Sequence, residues 1–86
     1  MSRMMELQGA RWMNTRAQTY SGLGGEEEPR SFDFGAQQFE VLQLLDNWKS
    51  PDHQYFKVRV NGVEFFVLRH HGVGDEWEAT QLMLHH

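Results

Sequence analysis

Cysteine is absent from the 86 residues, so no disulfide staples the chain and no thiolate is there to bind zinc or attack a substrate. The opening segment MSRMMELQGARWM holds no apolar stretch long enough for a signal-peptide core. Nowhere does an apolar run approach the length of a membrane span, so no membrane partner is expected. Together these features predict a cytoplasmic protein. Basic charge is also scarce: 12 acids against 8 bases leave a formal net charge of −4. That balance disfavours a general nucleic-acid binder, which needs a basic footprint, and leaves a local contact open. Catalytic motifs are missing as well. The glycine-rich SGLGG lacks the G-K-[ST] ending of a phosphate loop, and three glutamates follow where an anion would sit. No G-x-S-x-G nucleophile turn occurs. The chain is expected to be non-enzymatic, with no cofactor and no metal.

What is present predicts one small β domain. A chain of 86 residues buries only about 60–65% of its unfolded surface. Its 40% hydrophobic and 13% aromatic content is enough to build that core. Residues 1–10 show no periodicity and read as a flexible, frayed or loosely docked N-terminus, with a single β domain over 11–84. A first strand is expected at Arg16–Tyr20, and 21–30 reads as a Gly/Glu-rich loop. In SFDF, Phe32 and Phe34 share one face, and Gly35-Ala36-Gln37 can turn the chain. FEVLQLLDNW (39–48) alternates imperfectly. It is a strand buried on both faces, a strand with a bulge near Val41-Leu42, or a helix, since Val41, Leu44, Leu45 and Trp48 have helical spacing. Strands on both sides and the lack of an N-cap favour the strand. Pro51-Asp52 marks a turn.

The clearest signal is YFKVRV-NG-VEFFVL. Asn61-Gly62 between alternating runs specifies a two-residue type I′ hairpin. That turn sets Val60 against Val63, Arg59 against Glu64 and Val58 against Phe65. One face then carries Phe56, Val58, Val60, Val63, Phe65 and Val67 as core. The other carries an Arg59–Glu64 ion pair with Tyr55, Lys57, Phe66 and Leu68 around it. DEWEATQL (75–82) supplies a last strand. Short turns between strands predict an all-β antiparallel meander of about five strands, strongly twisted into a small partial barrel of SH3-like kind.

Residues 29–78 resemble a family of small, uncharacterised bacterial β-domains. The elements that carry the likeness are Pro29-Arg30, Leu45-Asp46-Asn47-Trp48, Tyr55-Phe56-Lys57-Val58, Leu68-Arg69-His70 and Asp75-Glu76-Trp77. The resemblance implies the β fold and no established activity. Some family members are encoded near error-prone DNA polymerases, which implies a setting around DNA repair. Many carry a Gly-Arg-Arg turn where this chain has Gly35-Ala36-Gln37-Gln38, so those positive charges are missing here.

Two groups of residues stand out as candidate sites. Tyr55, Lys57, Arg59, Phe66 and Leu68 would form an aromatic and basic surface suited to a protein partner, a second copy or single-stranded nucleic acid. The competing reading is that the barrel or the N-terminal segment covers them. His53, Arg69, His70, His71 and Asp75 form a weaker polar cluster at the hairpin's open end. Adjacent histidines in a strand point to opposite faces, but the two-residue turn places His53 beside His70. Arg69 is expected to pair with Asp75, through a loop of 70–74, or else with Glu76. The favoured function is a protein-binding or accessory module. A nucleic-acid-associated role in DNA repair is the alternative, and a metal-dependent enzyme built on the histidines comes third.

Overall fold

The computed structural model describes residues 7–21, 27–61, 64–72 and 76–82. They form strands β1 (Met13–Thr15), β2 (Ala17–Ser21), β3 (Glu27–Phe34), β4 (Gln37–Glu40), β5 (Gln43–Lys49), β6 (His53–Arg59), β7 (Phe65–His71) and β8 (Trp77–Leu82). All pairings are antiparallel. Five strands in the order β1-β8-β7-β6-β5 make one sheet, and β2-β3-β4 make the other. Among the described residues neither sheet closes on itself. The expected all-β antiparallel class is therefore present, with eight strand segments among the described residues in place of about five.

Two stretches of chain serve both sheets. Arg16 alone separates β1 from β2, and Val41-Leu42 separate β4 from β5. Strands that bend from one sheet into the other are the usual corners of crossed β packings. The Thr15 hydroxyl pins the first corner, accepting from the Asp33 amide at 2.9 Å and donating to the Asp33 carbonyl. At the second, the Val41 amide donates to the Arg30 carbonyl and the Leu42 amide to the Arg59 carbonyl.

Between the sheets lies the larger hydrophobic core. Phe32 from the small sheet meets Phe56, Val58, Val60, Phe66, Leu68, Trp77 and Ala79 from the large one. Phe66 is fully buried, with Phe32, Phe34 and Phe39 rings 4.9–5.1 Å away. Edge-to-face and tilted contacts of this kind add about 0.5–1.5 kcal/mol each beyond area burial. Gly35, at φ +63°, opens the two-residue turn from Phe34 to Gln37, where a two-residue hairpin demands a left-handed backbone.

Several expectations need correction. The segment 27–30, read as loop, is the first half of β3. Pro29 fits there because only β2 flanks that half, and the β2–β3 register slips beside it. The 39–48 stretch is neither one strand nor a helix: Val41-Leu42 are the sheet corner, and the bulge lies at Leu45. That bulge puts Leu44 opposite Val58 on the core face and Trp48 opposite Tyr55 on the other, despite their equal spacing parity. The N-terminus is not frayed from Leu7 onward. Leu7 is buried, and the Ala10 amide closes a turn onto the Leu7 carbonyl at 3.0 Å. Gly9 supplies the positive φ (78°) that a type II turn takes at its third position.

The largest correction concerns the β6–β7 hairpin. Val60 N–H donates to the Glu64 carbonyl at 3.1 Å, so three residues rather than two lie between the paired positions. Gly62 and Val63 fall outside the described residues. Asn61 explains the longer turn: its Oδ1 accepts from the Glu64 amide at 3.0 Å, and its Nδ2 donates to the Glu64 carboxylate at 3.1 Å. The register shifts by one, pairing Val58 with Phe66 and Phe56 with Leu68. A one-residue slip sends every side chain of the strand to the other face. Phe66 and Leu68 therefore enter the core, while Phe65 and Val67 take the opposite face.

Candidate functional site

The surface expected from Tyr55, Lys57, Arg59, Phe66 and Leu68 does not assemble. Phe66 and Leu68 point into the core, away from the other three. Tyr55 shares the opposite face with Lys57 and Arg59, but it is 4% exposed beneath Trp12 and Trp48. Trp48 stacks on it with ring centroids 5.2 Å apart and planes 5° from parallel. Lys57 and Arg59 are half-buried. Arg59 is opposite Phe65 and not Glu64, and its Nε and Nη2 donate to the Gln43 side-chain oxygen at 3.3 and 3.2 Å.

The polar cluster divides along the same register. His53 lies opposite His71, not His70, with ring centroids 4.4 Å apart. His70 is on the core face, stacked on Trp77 at 4.4 Å. Asp75 lies outside the described residues. Arg69 does find an acid, but Glu78 in place of Asp75 or Glu76: Nε to Oε1 is 2.8 Å. β7 ends at His71 and β8 begins at Trp77, with the His71 amide donating to the Glu76 carbonyl at 2.8 Å. The Arg69 guanidinium also covers the Trp12 ring at 4.1 Å, tying the N-terminal segment to the sheet. Among the described residues, no group of three His, Asp or Glu side chains is placed to hold a metal.

The His53 pKa lies below the ordinary imidazole value of 6.5. Partial burial is the main cause, and the positive Arg69 and neighbouring His71 add to it; Asp52 and Glu78 pull the other way. The folded state therefore holds the proton less well than the unfolded chain does. His53 costs no stability above about pH 6.5 and subtracts from it as the pH falls below that value.

A feature the sequence did not reveal lies at the second corner. Tyr20 and Leu42 are 54% and 59% exposed, and with Glu28, Pro29, Arg30, Val41, Gln43 and Leu44 they line a groove of about 240 Å³. The Arg30 guanidinium lies 5.5 Å from the Tyr20 ring centre. On one side of the groove is the first half of β3, paired only with β2; on the other is β5, the edge of the large sheet. The one hint in the sequence was Val41-Leu42 breaking the alternation, which signals a bend without saying which residue stays outside. No protein-family model, curated protein or solved structure matches this chain.

Proposed function

We propose that this chain is a non-catalytic binding module that takes up an extended segment of another protein at the Tyr20–Leu42 groove. One observation carries the reading. Two large apolar side chains stay exposed beside a groove bounded by two strand edges. Extended peptides add to such edges through backbone hydrogen bonds, and flanking pockets select their side chains. A second copy is the weaker occupant. Pairing β5 with its own copy about a two-fold centred on the strand would set Asp46 against Asp46, and like charges directly opposite destabilise a strand pair. Single-stranded nucleic acid, the setting implied by the family resemblance, would need an aromatic platform, and Tyr55 lies under two tryptophans. The finer architecture belongs to the same reading: β1–β2 and β4–β5 act as corner strands of an SH3-like partial barrel, and the groove is its opening.

The test is a peptide-display selection run in parallel on the wild-type chain and on Leu42→Asp. The reading expects peptides enriched only on the wild type, whose synthetic versions shift the amide resonances of Gln43–Lys49 and Tyr20. It is overturned if no peptide is enriched over Leu42→Asp, or if enriched peptides shift resonances elsewhere. Leu42→Asp is a surface change expected to alter stability by no more than about 0.5 kcal/mol, so loss of binding would not report unfolding.

A further inference from the structure

The β6–β7 register brings His53 and His71 together on the sheet's outer face, where neither belongs to the groove. We infer that these two imidazoles form a binding site for a single late first-row divalent ion, of the zinc, nickel or copper class. Imidazole nitrogen suits those ions and bonds zinc at about 2.0–2.1 Å. Two rings with centroids 4.4 Å apart on paired strands reach a common ion by rotation about their side-chain bonds, without backbone movement.

Two further observations point the same way. The Nδ1 atom of His71 is buried and has no hydrogen-bond partner. A buried ring nitrogen in that state carries an unmet desolvation cost, and a metal that accepts its lone pair would remove it. The backbone around the pair is firmly held. The Ser50 hydroxyl accepts from the His53 amide at 3.2 Å, and the Gly72 amide donates to the Asp52 carbonyl at 3.3 Å, so turn 50–53 is tied to the end of β7. Ligands on paired strands are positioned more closely than ligands on loops. The charge around the pair is mixed: Arg69 bonds Glu78 yet still acts on His53 as a positive charge, and Asp52 and Glu78 oppose it. Waters fill the remaining positions of the ion, which makes this a site of moderate affinity, open to exchange.

His85 and His86 at the C-terminus are a second imidazole pair that could capture metal by itself. The test therefore uses the full chain carrying His85→Ala and His86→Ala, titrated with zinc alone at pH 7.5 and followed through imidazole nitrogen resonances. The proposal expects saturable, single-site binding that moves His53 and His71 together and leaves His70 in place. His53→Gln and His71→Gln should each abolish it, and His70→Gln should preserve it. Amide spectra of each variant report whether the fold persists. If either variant fails to fold, the resonances that move in the parent decide the matter. The inference is overturned if zinc binding disappears with His85 and His86, if it survives His53→Gln or His71→Gln in folded protein, or if His53 and His71 do not shift together.

Discussion

The two faces of the five-stranded sheet are covered in different ways. On the inner face the cover is a second sheet, and a cluster of aromatic and aliphatic side chains fills the contact: Phe32, Phe34 and Phe39 close over Phe66, with Leu68, Val58 and Trp77 around them. On the outer face, among the described residues, the cover is a single short segment. Leu7, Ala10 and Trp12 lie over Tyr55 and Val67, and Arg69 bonds to Glu78 beneath the Trp12 ring. Sheets meeting face to face interdigitate many side chains at once. A lone segment meets the sheet at a few positions, and each of those carries a larger share of its docking. The inner face therefore holds the fold, and the outer face holds a terminus.

The largest effect is expected where the two sheets meet. Phe66→Ala should cost about 3–5 kcal/mol, because it removes a ring in contact with three others and leaves a cavity both sheets must share. Urea denaturation reads this directly. A cost below about 1 kcal/mol would mean that the inner face is not the main core.

Leu7→Ala should cost less, about 2 kcal/mol, at the low end for a buried leucine because the segment can settle into the gap. Its sharper signature is local. Hydrogen exchange should quicken over residues 7–12 while the β6–β7 amides keep their protection. Equal loss of protection on both would erase the distinction between the faces.

Arg69→Ala should cost about 1–2 kcal/mol, removing a half-buried ion pair and a cation–ring contact together. Arg69→Lys should recover little of it, since an ammonium cannot lie flat on the indole while bonding Glu78. Thermal melts of the three proteins compare the terms. Full recovery with lysine would show that charge alone matters there.

The smallest effect is with pH. In the presence of a chelator, stability should decline as pH falls below about 6.5, because the unfolded chain takes up the His53 proton more readily than the folded protein. His53→Gln should flatten that part of the profile. A wild-type profile that is flat or rises from pH 6.5 to 5 would contradict the sign.

The same comparison explains what the sequence made legible. The all-β class, the Pro51-Asp52 turn, the turn beginning at Gly35 and a final strand through Trp77 were readable because each rests on local chemistry. The register of β7 was not. In FFVL, Phe66, Val67 and Leu68 are all fully buried, so alternation is lost and nothing in the strand itself distinguishes one face from the other. Its register depends on turn length, and that depends on whether the Asn61 side chain bonds Glu64. Three of the misplacements follow from this single residue of slip: Phe66 and Leu68 as surface, His70 as the partner of His53, Arg59 as the partner of Glu64. Burial of Tyr55 under Trp12 and Trp48 and the pairing of Arg69 with Glu78, which the β7–β8 register sets, have separate causes. Docking of Leu7 was hidden for another reason. One apolar residue among methionines has no period to read, and its partner strand lies some sixty residues away.

Cross-strand NMR contacts along the β6–β7 hairpin report this register without intermediary. Close backbone contacts are expected between Val58 and Phe66, Phe56 and Leu68, and Gln54 and His70, with His53 meeting His71 at the open end. Contacts of Val58 with Phe65, Phe56 with Val67 and His53 with His70 would contradict it. They would return Phe66 and Leu68 to the outer face and dissolve the histidine pair.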